Sequence, residues 1–438
     1  MTAPLLPPLK GLPSYSDAAL YLKLADRTIP WEFDGWQAES LSWKTACYIH
    51  AGLSGYQVNF EGPGALEFWS SISINSFARF PIGTMKHAVM CSDSGLIAQH
   101  AILQRNGTEE FRLFAGGLPW SEYLAAASRF DVRVRHVPGY LHQVAGPHSL
   151  ATLERATGES LRDIEFLRFR HARIDGLSVE IGRIGMSGNL AFEVRGPLEE
   201  GPAVYDAIFE AGRDFGIQRL GWRTYFVNHV EGGFPQAGWT FFSAGLEEPG
   251  FRALLGPRGA VRVTGSVAPS DMRARYRTPI EVGWQRTARF DHDFKGRAAL
   301  EKEAANPRRT VATLRWNPQD VLDIHASLLQ PGEAYRPLDM PTTPSWQHGF
   351  FAHADHILHN GREVGYSSGT VYSYYFREVI SMATLDVDCA DVGTEVVVRW
   401  GDHGRRIKDV RATVERFPYL TEGRNDQVDT TRLGVSAA

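Results

Sequence analysis

Glu193, His50 and His100 are the side chains in this sequence whose type and setting most readily do chemistry. Glu193 lies in the stretch Gly182 to Pro197, GRIGMSGNLAFEVRGP, out of phase with Leu190, Phe192 and Val194. On a strand, residues of opposite phase project from opposite faces, so phase alone leaves this acid in solvent. If its face lines a cavity instead, the carboxylate can accept two parallel hydrogen bonds from N–H groups on the edge of a flat ring. His50 (in YIHAGLSG) and His100 (in SGLIAQHAIL) can take up or release a proton near neutral pH, or sit inertly as hydrogen-bonded core residues. HADHILH sets His353, His356 and His359 three apart, which invites a metal. In a β-rich, turn-bearing stretch that spacing does not converge, so no metal site is expected.

The elements that must position these residues can be read from periodicity. Leu177, Val179 and Ile181 alternate, Met186 to Asn189 turn, and Leu190, Phe192 and Val194 alternate again, which predicts a hairpin. Ala203, Val204, Ala207, Ile208, Ala211 and Phe215 share one helical face after the acidic Glu199 and Glu200, and Gly216 ends the run. Earlier, Val58 and Phe60 suggest a strand, Gly-Pro-Gly a turn, and Ala65 to Ile74 a helix. From about Thr310 the pattern changes to short strands, TVATLRW, HILHNGREVGYSSG and EVVVRW, separated by glycine-containing turns. A body over residues 1–309 and a β-rich domain over 310–438 are therefore expected, without internal repeats or low-complexity segments.

Composition narrows the partners. At 438 residues, 43% hydrophobic and 22% charged with a formal net charge of -4, the chain lacks the basic surplus that binding a phosphate backbone requires, so no nucleic acid is expected. The proline-broken N-terminus has no signal helix and no apolar run is long enough to span a bilayer, so the expected location is cytoplasmic, without a membrane. The three cysteines, Cys47, Cys91 and Cys389, lie far apart without CxxC spacing, which argues against disulfides and a zinc knuckle. Oligomeric state is left open.

Four segments in order, the strand-turn-strand at Gly182, LGWRTYFVNHVEGG, FDHDFKGRAALE and GREVGYSSGTVYSYYFREVISMATL, resemble the glycine-cleavage T-protein (aminomethyltransferase) family of folate enzymes. WEFDGWQAESLSWKTA and GALEFWSSISINS are closer to one branch, the tetrahydrofolate-dependent O-demethylases of lignin-derived methoxy-aromatics such as vanillate and syringate. The resemblance covers most of the chain. It implies an α+β fold in which a folate-binding body of two interlocked subdomains carries a C-terminal β-barrel domain. It also implies that Glu193 binds the pterin of tetrahydrofolate, with nearby glycines letting a flat ring approach the backbone. Tyr225 aligns with a tyrosine that the aromatic demethylases use at the reacting centre, where a phenol can protonate a departing phenolate. Arg223 and Phe234 are implied as further cofactor contacts and Asn228 as a substrate contact.

Three departures from the family pattern bear on the substrate. His50 stands where the family usually has an aspartate. Gln99 and His100 stand where the T-protein keeps an acid for the amine of its substrate, which disfavours an aminomethyl substrate. Gly116 and Gly117, in RLFAGGLPWSEYL, replace an arginine that can clamp a substrate carboxylate, which implies a small aromatic substrate that is neutral or larger than one ring at Gly117. The leading expectation is a methyltransferase that demethylates a methoxylated aromatic. With Tyr225, His50 and His100 as the reacting groups, a second is a folate-independent lyase releasing formaldehyde from a side-chain alcohol. A third is a non-enzymatic folate-binding protein.

Overall fold

The phases read from the sequence become two β-structures in a computed structural model that describes residues 17–24, 27–114, 117–256, 261–342 and 351–433. Strands β1 (Leu20–Leu24) and β2 (Arg27–Glu32) and helix α1 (Trp36–Thr45) precede a large sheet. Its strands are β3 (Cys47–His50), β4 (Gly55–Glu61), β5 (Thr84–Cys91), β6 (Ile97–Arg105), β7 (Glu110–Phe114), β8 (Arg133–Ala145), β9 (Phe169–Ile174), β10 (Leu177–Gly182), β11 (Ala191–Pro197) and β12 (Ile217–Arg219). They lie in the order β5-β6-β7-β4-β8-β11-β10-β9, and β3 runs between β8 and β12. Helices α2 (Ala65–Ile72) and α3 (Trp120–Ala127) pack against the β4 to β7 part, and α4 (Ser149–Thr157) and α5 (Gly201–Gly212) against the β8 to β11 part.

Strand β8 makes the sheet curl. Its first half pairs with β4 from Gly139 back to Arg133, and its second half lies between β11 on one side and β3 on the other. At the change of partners sits Pro138-Gly139, where an added Cβ would meet the Gln57 side chain at 2.4 Å. A glycine inside a strand marks such a bend and close approach. The predicted hairpin forms, with Ile181 opposite Val194 and Gly182 opposite Glu193. Its connection is longer than the expected Met186–Asn189 turn and spans residues 183–190, because side chains at both ends are held elsewhere. Arg183 donates to the carbonyls of Asn425 and Val428, and Asn189 Nδ2 donates to the Trp43 carbonyl. The predicted amphipathic helix starts at Gly201 and closes with a tighter turn at Arg213–Phe215 before the left-handed Gly216.

Helix α6 (Trp222–Gly232) follows the sheet, then α7 (Pro249–Leu255), β13 (Arg262–Thr264) and α8 (Arg297–Ala305). From Arg309 the chain builds a closed six-stranded antiparallel barrel in the order β14-β18-β17-β16-β19-β20. Its strands are β14 (Arg309–Trp316), β16 (Asp355–His359), β17 (Arg362–Ser373), β18 (Glu378–Asp386), β19 (Glu395–Trp400) and β20 (Lys408–Glu415), with α9 (Pro318–Ser327) and β15 (Phe351–His353) between the first two. The fold is thus α+β, a curled sheet body with a β-barrel. Among the described residues no helix is long and apolar enough to cross a membrane.

Helix α6 is buried at every residue except Arg223, so its polar side chains need internal partners. Glu39 accepts from Phe33 N, Gly221 N and Thr224 Oγ1 at 2.6, 2.8 and 3.0 Å, tying the start of α6 to β2 and α1. Burial nevertheless pushes the Glu39 carboxyl up to about 7. Glu231 accepts from Trp43 Nε1 and from Ser373 Oγ of the barrel at 3.1 and 2.6 Å and pairs with the buried Lys44 ammonium. At the end of α6, a Cβ on Gly232 would meet the Ser187 carbonyl oxygen at 2.5 Å and Gly188 N at 2.9 Å. The helix and the 183–190 loop therefore touch backbone to backbone. Gly232→Ala is expected to lower stability by about 1–2 kcal/mol, read by thermal or urea unfolding, because neither backbone can yield. An unchanged midpoint would show that the loop gives way freely.

Candidate active site

The curled sheet brings a row of polar side chains onto its inner face. His50 on β3 lies opposite Gln143 on β8, which lies opposite Glu193 on β11, which lies opposite Gly182 on β10. Directly opposed residues in antiparallel strands share a face, so three of these side chains point the same way. Phe192 and Val194 point to the other face and join the core with α4 and α5. Glu193 is 4% exposed, so its face is covered too.

Within the row, Gln143 Nε2 donates to Glu193 Oε1 at 3.2 Å. Asn228 Nδ2, from α6, donates to the Tyr48 hydroxyl at 3.2 Å. Glu193 Oε2, Gln143 Oε1, Asn228 Oδ1 and His50 Nε2 are buried without a hydrogen-bond partner. All four carry lone pairs. Buried acceptors left unmatched are costly, and the two side by side on the sheet face, at Glu193 and Gln143, suit a ligand whose edge presents several N–H groups. A pterin has such an edge, so the residues present fit the group that the family resemblance implies. Burial raises the Glu193 carboxyl above the usual range, against the opposing influence of Arg195 and the Gln143 hydrogen bond.

Arg195 is itself committed. It donates to Gln104 Oε1 at 2.9 Å and pairs with Glu180 at 3.4 Å, and Gln104 donates to Glu180 at 2.7 Å. Gly182 leaves room for this guanidinium, since a Cβ there would meet Nη2 at 2.2 Å.

Helix α6 lays Tyr225 over His50, the rings stacked at 4.2 Å and 16°. His50 Nδ1 lies 2.9 Å from the Leu220 carbonyl oxygen, so Nδ1 carries the hydrogen and Nε2 keeps its lone pair. Burial pulls this imidazole down to about 4, so it is neutral near pH 7. The Tyr225 hydroxyl has the Met186 thioether, a weak acceptor, at 3.8 Å. Burial, with Tyr48 and Glu193 nearby, raises the phenol well above its ordinary value and keeps it protonated. One turn on, His229 Nδ1 donates to the Tyr225 carbonyl oxygen at 2.9 Å, and its Nε2 lies 3.1 Å from Met186 Sδ.

The sequence-derived candidates fall into three sets. Glu193, Tyr225, His50 and Asn228 meet in one cluster. His100 and Phe234 form an adjacent one, with ring centroids 5.8 Å apart, joined to the first through His229 at 6.0 Å from Phe234. His100 differs from His50 in having both nitrogens engaged: Nε2 accepts from Ala237 N and Nδ1 reaches His87 Nε2, each at 3.2 Å. Burial and the neighbouring His87 hold it well below its usual value. Arg223 and Gly117 belong to neither set. Arg223 pairs with Glu32 and donates to the Met340 carbonyl at 2.9 Å. Gly117 is exposed on the turn before α3, with φ of 63° and nothing within 4 Å of an added Cβ, and Gly116 lies outside the described residues. The three spaced histidines take separate partners: His353 meets Asp355, His356 meets Glu363 and His359 reaches the Glu395 carbonyl.

Tyr48, Gln143, Met186 and His229 were not anticipated. Tyr48 and His50 share a strand face in CYIH, and His229 follows Tyr225 by one helical turn in YFVNH, so phase could have flagged both. Gln143 and Met186 carry no such signal.

The chain is similar to known proteins along nearly its whole length. Residues 16–240 match the family model described as GCVT N-terminal domain. The chain is 36% identical to a sesamin methylene transferase from Sinomonas sp., over 95% of this chain and 96% of that protein. It is 28% identical to a syringate O-demethylase from Sphingobium sp., over 92% of each. The crystal structure of the glycine cleavage system aminomethyltransferase T from Bartonella henselae superposes with a TM-score of 0.69 over 94% of this chain and 96% of that one. At 17% identity that likeness speaks for the fold alone.

Proposed function

Since the chain belongs to the aminomethyltransferase (GCVT) family, we propose that it is an enzyme that removes a one-carbon unit from the ether oxygen of an aromatic compound and passes it to tetrahydrofolate. The observation that carries this reading is the set of unmatched acceptors at Glu193, Gln143 and Asn228 lying against the Tyr225–His50 stack. The names of the two full-length relatives support it, and they differ in whether methyl or methylene is the unit moved.

When bound, tetrahydrofolate supplies the amine that accepts the one-carbon unit. Glu193, steadied by Gln143, would hold the pterin edge, and Asn228 would add a third acceptor. Tyr225 Oη keeps a proton that its weak thioether contact does not tie down, so it can deliver that proton to a departing aryl oxygen. His50 Nε2 is a neutral base beside it and can receive the proton that the accepting amine gives up. Beyond these proton movements, the contribution of the protein is alignment in a buried, pre-arranged site. His100, Phe234, Arg223 and Gly117 stand further from this centre, and His100, hydrogen-bonded at both nitrogens, serves as a wall rather than a base. The substrate is a small aromatic without a carboxylate clamp at Gly117.

One specific observation favours a second reading: a buried, neutral His50 with a free lone pair is also what deprotonation of a side-chain alcohol requires, with formaldehyde as product. Incubation of the purified protein with aryl methyl and aryl methylenedioxy ethers and with a phenolic bearing a side-chain alcohol, each with and without tetrahydrofolate, decides between them. The expected result is tetrahydrofolate-dependent appearance of the free phenol with equimolar methyl- or methylene-tetrahydrofolate. Formaldehyde release from the alcohol without folate would select the lyase, and binding of folate without turnover of any of these substrates would select a binding protein.

A further inference from the structure

We infer that His229 reads a second oxygen of the substrate ring, on the carbon next to the ether that reacts at Tyr225, and that the Met186 side chain covers both groups until the ring enters. The inference rests on the reading of Tyr225 as the group that meets the departing oxygen.

His229 stands one helical turn after Tyr225 on α6, so the two side chains project from one face of the helix. Their rings meet edge to face at 4.6 Å and 69°. The surroundings fix the tautomer of His229. Nδ1 lies 2.9 Å from the Tyr225 carbonyl oxygen, which only accepts, so Nδ1 carries the hydrogen and Nε2 the lone pair. Burial pulls this imidazole down to about 4, so it is neutral near pH 7. Facing Nε2 is Met186 Sδ at 3.1 Å, and a thioether has no hydrogen to give. A buried acceptor is thus set against a second acceptor, in a contact made by packing and not by a hydrogen bond.

The same sulfur lies 3.8 Å from the Tyr225 hydroxyl. One atom therefore occupies a point within reach of a proton donor, Tyr225 Oη, and a proton acceptor, His229 Nε2. The loop that carries it is anchored on either side, by Arg183 on the carbonyls of Asn425 and Val428 and by Asn189 on that of Trp43, yet Met186 itself is only partly buried. An unbranched thioether side chain with three rotatable bonds can swing aside while such a loop stays in place. Phe234, whose ring lies 6.0 Å from that of His229, offers an aromatic neighbour to the incoming ring.

A donor and an acceptor side by side select two oxygens side by side. The ether oxygen accepts from Tyr225 as its bond to the one-carbon unit breaks, and a hydroxyl on the next ring carbon donates to His229 Nε2. Methyl transfer breaks one C–O bond, forms one N–C bond and moves one proton from amine to phenol oxygen, so the neighbouring hydroxyl has to be present from the outset. Methylene transfer breaks two C–O bonds, forms two N–C bonds and moves two protons, and its first cleavage creates the hydroxyl. The group that His229 recognises is the same in both, and only its source differs.

The test is equilibrium binding of catechol and of resorcinol, with tetrahydrofolate present, to the wild-type chain and to His229→Asn and His229→Gln. Asparagine keeps an N–H close to the position of Nδ1 and has no atom at that of Nε2, whereas glutamine returns an amide oxygen there. The expected result is that the wild type binds catechol about tenfold or more tighter than resorcinol, that asparagine brings this ratio to about one, and that glutamine restores part of it. A variant that merely loosens the site weakens both ligands alike and leaves the ratio standing. The ratio of kcat/KM for 2-methoxyphenol over 3-methoxyphenol should follow the same pattern; if 1,3-benzodioxole is the ether turned over instead, asparagine should lower its kcat and glutamine return part of it. Met186→Ala, which uncovers both groups, should tighten catechol about threefold. A wild type that does not distinguish catechol from resorcinol, or a distinction that survives in His229→Asn, overturns the role of His229, and weaker catechol binding by Met186→Ala overturns the cover. If no ether passes its carbon to tetrahydrofolate, the reading of Tyr225 has failed, and the catechol to resorcinol ratio still judges His229.

Discussion

Replacing Glu193 with alanine is expected to weaken tetrahydrofolate binding by about 1.5–3 kcal/mol, roughly 10- to 150-fold, as measured by calorimetry or quenching of tryptophan fluorescence. The expectation rests on the carboxylate having one oxygen held by Gln143 and the other unmatched. Ligand-free stability should move little or rise, because the side chain removed is a buried carboxyl whose charged form is penalised by desolvation. That pairing of weaker binding with unchanged or higher stability separates a ligand contact from a packing role. The pH dependence follows from the raised pKa. In the free protein Glu193 stays protonated to a higher pH than an ordinary carboxyl, whereas charge-assisted hydrogen bonds to N–H donors need the carboxylate. Affinity should therefore fall as pH drops through the raised value, with one proton released on binding above the ordinary carboxyl range. The same shift makes the ligand-free fold lose stability as pH rises across that window, since the folded state favours the protonated form. Glu193→Gln should flatten the pH dependence of binding; if the slope survives in that variant, the titrating group lies elsewhere.

Why Glu193 was half legible is instructive. Alternation at Leu177, Val179, Ile181 and at Phe192, Val194 marks the hairpin, because those side chains meet α4 and α5 on one face. Alternation reports only which residues share a face, and a sheet curled at Pro138-Gly139 and closed over by α6 buries both faces. Tyr225 and His50 stack although 175 positions separate them, and nothing local in YIHAGLSG or GWRTYFVNH encodes that meeting. It comes from Glu39 fixing the start of α6 and from the glycine contact with Ser187 fixing its end. The strands of the barrel were easier to read, since they are bounded by local turns, whereas their closure into a barrel was implied by the family resemblance. His100 shows the opposite limit. Residue type makes it as reactive a candidate as His50, but the backbone N–H of Ala237 and the ring of His87 occupy its nitrogens. Which lone pair remains is a property of partners that no single segment contains.

The largest expected effect belongs to Tyr225→Phe. The phenyl ring preserves the stack on His50 and the edge contacts with Trp222 and His229, and the hydroxyl gives up only a 3.8 Å approach to a thioether. Stability should therefore change by no more than about 0.5 kcal/mol. Turnover should fall by about 10²- to 10⁴-fold, the usual span for removing a general acid, with KM for the aromatic ether little altered. The loss should depend on the leaving group. An ether whose phenol is strongly acidic departs without a proton and should be nearly indifferent to the substitution, while one whose phenol has a pKa near 10 should suffer fully. In the wild type, the raised phenol pKa keeps Tyr225 protonated through alkaline pH, so the rate should not decline through the ordinary tyrosine range. On the acid side His50 becomes cationic only near pH 4, below the region where Glu193 takes up its proton, so binding should fail before the base does as pH falls. A phenylalanine variant that slows all ethers equally would assign Tyr225 to holding the ring of His50 or the substrate in place, and one that keeps full activity would remove the hydroxyl from the reaction.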